Sequence, residues 1–128
     1  MKFKKEWPKL VQMGKAKDLT QEQLYFLLAL REQEGGQEGN EFNVKAVKGT
    51  SFEEQAAWAI GSILKNDRRW QDYIREQSYL DFPTFFRYLG GPYGNGWHYS
   101  HPGSAWVVEL KNIMKEVENG FKTDTTVG

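Results

Sequence analysis

Residues 24–30, Leu-Tyr-Phe-Leu-Leu-Ala-Leu, make the longest uninterrupted apolar run in the chain. A helix lying on a protein surface confines its apolar residues to one stripe, whereas this run presents them in every direction. The segment is therefore expected to be enclosed nearly all round. It is far shorter than the roughly 20 residues that span a bilayer, so no membrane insertion is expected. Its borders are legible too. Thr20 with Gln23 forms a capping box that opens a helix, and Gly35-Gly36 stops it after about Gln33. A chain of 128 residues can wrap one core around such a helix as a single domain.

The remaining periodicity is also helical. Ser51 and Glu54 repeat the capping-box pattern, and Phe52, Ala56, Ala59, Ile60 and Ile63 then fall on one face, which predicts a helix from Ser51 to about Lys65. A third is expected from Asp67 to about Arg75. Asp81 caps a short fourth helix that tolerates Pro83 in its first turn and ends at Gly90-Gly91. From Ser104 the stripe Trp106, Leu110, Ile113, Met114 and Val117 gives a final helix, stopped at Asn119-Gly120. The stretch Phe42-Asn43-Val44-Lys45-Ala46-Val47 is open to a short strand. The reading is a mainly α domain of about five helices with at most a minimal β element.

Charge divides the chain into three parts. Residues 1–17 carry six Lys against one Glu and read as a basic, solvated arm; residues 18–119 form the domain; residues 120–128 read as a flexible tail. Over the whole chain 17 basic and 17 acidic side chains cancel, which argues against nucleic acid as the partner. The absence of Cys excludes disulfides, thiolate metal sites and cysteine nucleophiles. His98 and His101 are the only histidines, too few to complete a zinc site, so no metal and no cofactor is expected. No apolar stretch follows the basic start MKFKKEWPKL, which reads as a chain without a secretory signal.

Glu34 is the acid that the pattern singles out. It follows Leu30 by four residues and so shares the apolar side of its helix, at the negative end of the helix dipole. Burial, the dipole and the nearby Glu32, Glu38 and Glu41 should all raise its pKa, with Arg31 alone to offset them. A carboxyl kept protonated near neutrality is what a glycosidase uses to protonate a leaving oxygen. The alternative is an ordinary solvated side chain at a helix end. The Gly-rich segment 90–103 carries Tyr93, Trp97 and Tyr99 between Gly and Asn, where rings either stack on a ligand or fold inward as core.

These residues also resemble a known pattern. Glu34-Gly35-Gly36, then Gly39-Asn40 and Phe42-Asn43-Val44-Lys45-Ala46, look like the catalytic stretch of the bacterial glucosaminidase family, peptidoglycan-cleaving members of the lysozyme-like superfamily. SFEEQAAWAIGSILKNDRRWQDY is similar to the helix that follows in that family, with Asn66, Arg69 and Trp70 at its closing positions, and residues 97–106 resemble the approach to its last helix. The likeness covers roughly residues 24–118.

It implies a lysozyme-like fold that cleaves β-1,4 bonds between N-acetylglucosamine and N-acetylmuramic acid in peptidoglycan. Glu34 would be the general acid, with Phe42, Tyr93, Trp97 and Tyr99 lining the groove. The chain departs from the family in having Gly35 where a serine stands and almost nothing between Ala46 and Ser51, where the family inserts a small β-lobe carrying a second acid. Glu38, Glu41 and Asp81 are candidates for that role by position only. The compact form resembles phage and prophage proteins, and implies a monomer made in the cytoplasm that reaches the wall through a holin pore or on a virion. The alternative is a non-catalytic module of the same fold, serving in wall binding or as a phage structural part.

Overall fold

The computed structural model describes residues 1–74, 81–88 and 105–123. Five α-helices lie among them: α1 (Trp7–Ala16), α2 (Gln21–Glu34), α3 (Phe52–Ile74), α4 (Phe82–Tyr88) and α5 (Ala105–Thr123). Short 3-10 turns span Lys4–Glu6 and Lys45–Val47, and no strand occurs among the described residues. The protein is thus a small, mainly α domain. None of the described helices is long and apolar enough to cross a membrane.

The apolar run predicts the architecture correctly: α2 is the central helix. Every side chain from Leu24 to Arg31 is buried, and α1, α3 and α5 pack around it, α5 most extensively. Its start is the capping box seen in the sequence. Gln23 N–H donates to Thr20 Oγ1 at 3.2 Å, and Thr20 N–H donates to Gln23 Oε1 at 2.8 Å. Gly35 ends the helix in the left-handed region at φ 59°, where its N–H reaches the carbonyl of Arg31. Edge-to-face contacts of Phe26 with Phe82 and Phe86, at 5.1 and 4.8 Å between centroids, lock α4 onto α2. Asp81 caps α4 as expected, accepting from Thr84 N–H at 3.0 Å.

Three expectations are corrected, and one left open is decided. The basic arm is a packed element: Trp7 and Leu10 are fully buried, and Glu6 pairs with the buried Arg31. The lysines of this segment mark the outer face of an amphipathic helix whose inner face is anchored by Trp7, Leu10 and Val11. The second and third predicted helices are one. At Asn66, where a break was expected, the side-chain amide donates to the Ser62 carbonyl at 2.8 Å and stays inside the helix. The last helix passes through Asn119-Gly120 to Thr123, because Phe121 packs edge-on against Tyr25 and Gly120 leaves room for the Trp7 ring. The stretch open to a strand winds instead around Gln55, whose amide oxygen accepts from Phe42 and Val44 N–H while its nitrogen donates to the Val44 and Val47 carbonyls, all at 3.1–3.2 Å.

Two substitutions check this core. Leu27→Ala removes a fully buried side chain from the central helix and is expected to cost about 2–5 kcal/mol. Trp7→Ala should cost about 3–5 kcal/mol, whereas a solvated arm would leave the denaturant midpoint untouched.

Candidate active site

Three helices meet at Glu34. It is the last residue of α2, half-buried, and its carboxyl faces Arg87 from the end of α4 and Trp106 from the start of α5. Burial raises its pKa above the ordinary glutamate value of 4.5. The positive charge of Arg87 and the hydrogen bond from the Trp106 indole act in the opposite direction and do not cancel that effect. The Arg87 guanidinium also lies 5.0 Å from the centre of the Trp106 ring, in cation–π range. Beside this group Gln33 reaches Glu109 of α5 at 3.3 Å. The result is a desolvated acid with an indole donor and a guanidinium beside it, a set that can release a proton and then stabilise the carboxylate left behind.

The loop after Glu34 is built from the backbone outward. A Cβ at Gly36 would lie 1.8 Å from the Asn40 carbonyl oxygen, so only glycine permits this turn. Arg31 closes the loop by donating to the carbonyls of Gly36 at 3.0 Å and Glu41 at 2.9 Å. An open, shallow depression lined by Gly35, Gly36, Gln37, Glu38 and Lys48 lies beyond the helix end; Glu34 does not line it.

The expected site residues fare differently. Phe42 was expected to line a groove, but its ring is fully enclosed in the core and its backbone N–H is held by Gln55. The hydrophobic ring is worth more to the core than to a wet surface, so Phe42 supports the loop from within. Tyr93, Trp97, Tyr99, His98 and His101 lie outside the described residues. The helices on either side of that segment are those that bring Arg87 and Trp106 to Glu34.

Of the positional candidates for a second acid, Glu38 is exposed. Glu41 is 4% exposed and its Oε2 accepts from Gly39 N–H. Asp81 is pushed up by burial, but the hydrogen bonds from Lys111 and Thr84 outweigh that and hold its carboxyl below the usual range. Among the described residues no three His, Cys, Asp or Glu side chains gather as a metal ion would need.

Sequence reasoning missed Arg87 and read Trp106 only as part of a core stripe. The available signal was positional: both stand next to the ends of the Gly-rich segment, beside helix termini. Neither a family model, nor a curated protein, nor a solved structure matches the chain.

The raised pKa of Glu34 fixes the sign of a pH effect. The folded state holds this proton more tightly than the unfolded chain, so ionising Glu34 costs stability. The cost is nil below the unfolded value of about 4.5, grows as pH rises past it, and is complete above the folded pKa. Glu34→Gln should therefore gain stability relative to wild type as pH rises from about 4 to 8. A difference in thermal midpoint that does not change over that range would mean a solvated carboxyl.

Proposed function

We propose that the protein binds peptidoglycan glycan strands and cleaves their β-1,4 bonds, with Glu34 as general acid. The observation that carries this reading is the half-buried carboxyl of Glu34, its pKa raised by burial, at the end of the central helix, where α2, α4 and α5 converge. In the proposed reaction Glu34 gives its proton to the glycosidic oxygen as the C–O bond breaks. The electron deficiency at the anomeric carbon is met by the substrate's own N-acetyl oxygen or 6-hydroxyl, since Glu41 and Asp81 are held in other contacts and Glu38 is a solvated side chain. Arg87 and Trp106 favour the carboxylate so formed, and Glu34 recovers its proton from the incoming water or from the 6-hydroxyl. The Gly-rich segment with Tyr93, Trp97 and Tyr99 would supply the stacking surface. The site of action would be the bacterial wall, reached by holin release or from a virion.

A second reading has its own support. The contacts of Glu34 with Arg87 and Trp106 also suit a clamp between helices, which fits a non-catalytic wall-binding or phage structural module. Clearing of purified cell walls separates the two readings. Glu34→Gln keeps the shape and loses the proton, so turnover should fall by at least about a hundredfold while binding survives. Glu22→Gln, exposed in the first turn of α2 at the far end of the helix from Glu34, is the control and should retain activity. The alkaline limb of activity should lie above the ordinary carboxylate range. Mass spectrometry of the new ends identifies the bond: reducing N-acetylglucosamine, reducing muramic acid or anhydro-muramic acid. Binding without clearing by either protein establishes the module instead.

A further inference from the structure

One face of α3 is self-complementary about its midpoint. Glu54, Ala57, Trp58, Gly61, Ser62, Lys65 and Arg69 line one surface of this helix, with Ser62 at its buried edge. About the point between Gly61 and Ser62 the exposed long side chains of this surface form two symmetric pairs, Glu54 with Arg69 and Trp58 with Lys65, while Ala57 has no mate on it. Two copies of α3 laid antiparallel would set each paired residue against its symmetric mate. Each acid then meets a guanidinium, each indole meets an ammonium in cation–π fashion, and the exposed Gly61 marks the crossing.

We propose that the protein self-associates as a two-fold dimer through this face of α3.

Three observations support that occupant over any other. Trp58 is 46% exposed, one of few large hydrophobic side chains in that state among the described residues. Glu54, Lys65 and Arg69 form no ion pair among the described residues, although each lies on a single exposed stripe. Gly61 sits in mid-helix, where glycine costs about 0.5–1 kcal/mol relative to alanine, yet a Cβ built there meets nothing within 4 Å among the described residues. Packing among the described residues does not require glycine at this position. A second helix approaching closely does.

The face from Glu54 to Arg69 is about 22 Å long at 1.5 Å per residue. An adjoining apolar groove between α1 and α3, flanked by Met13, Ile60 and Leu64, shares Ala57 and Gly61 with it and widens the contact. An interface of this extent belongs to the small, reversible class, so association should depend on concentration and weaken with salt. The dimer replaces the monomer expected from the sequence, and it stands independently of the glycan-cleaving reading.

The experiment is sedimentation velocity over a concentration series up to the millimolar range, with far-UV circular dichroism as the check on folding. Wild type should pass from the 14.9 kDa monomer to twice that mass. Glu54→Arg sets two arginines opposite one another and Arg69→Glu sets two glutamates opposite; each should weaken association at least about tenfold. The double variant Glu54→Arg/Arg69→Glu re-forms both pairs and should recover it. Gly61→Leu should abolish association while leaving helicity equal or higher, which separates loss of contact from loss of fold. A wild type that stays monomeric overturns the proposal. So does association that ignores these substitutions, or a double variant that fails to recover.

Discussion

The last turn of the central helix carries charged side chains that the protein places in three different directions, and Arg31 is the one on which most else rests. The residue is 2% exposed, and its guanidinium pairs with Glu6 at 2.6 and 3.2 Å, donates to two loop carbonyls, and lies 3.6 Å from the centre of the Phe3 ring. One cation thus joins the turn that leads into the first helix, the end of the second and the loop that follows. A buried ion is tolerable only when its donors are nearly all used, and here they are. Glu32 next to it fastens the N-terminal amides, and Glu34 turns toward α4 and α5. The candidate site is therefore held by a turn whose other side chains are structural, which keeps the carboxyl of Glu34 at a fixed place between three helices.

Much of the helical plan is legible because it depends on local chemistry. The capping box at Thr20, the cap at Asp81 and the uninterrupted apolar run each act within a few residues, and each appears where the pattern puts it. The errors arise where a distant partner decides. Six lysines look like a solvated arm until Trp7 finds the last helix and Glu6 finds Arg31. Asn66 resembles a helix end only while its amide has no place to donate, and Asn119-Gly120 only while nothing lies beyond to pack on Tyr25. The segment around Phe42 has the composition of a strand, but the amide of Gln55 takes up the backbone groups that a neighbouring strand would have bonded.

The candidate site was legible in half. Position on the apolar side of α2 was enough to anticipate that Glu34 would be desolvated, and burial is indeed the largest influence on it. What the linear pattern did not show is that Arg87 and Trp106, from helices far along the chain, oppose that influence. Phe42 was misread for the same reason in reverse: an aromatic beside a Gly-rich loop looks accessible until its burial at 0% exposure is known.

The contact between the Trp7 ring and Gly120 has a consequence for synthesis. The two residues lie almost the whole chain apart, so the cage around the indole is finished only when the last helix has formed. While the chain is still being translated, α1 and α2 can meet at once through Glu6 and Arg31, but the tryptophan keeps one open side until α5 leaves the ribosome. Closing so long a loop is slow compared with forming local helices. The emerging chain thus waits with a large apolar ring uncovered, an opening through which a chaperone, or another nascent copy, can reach it first.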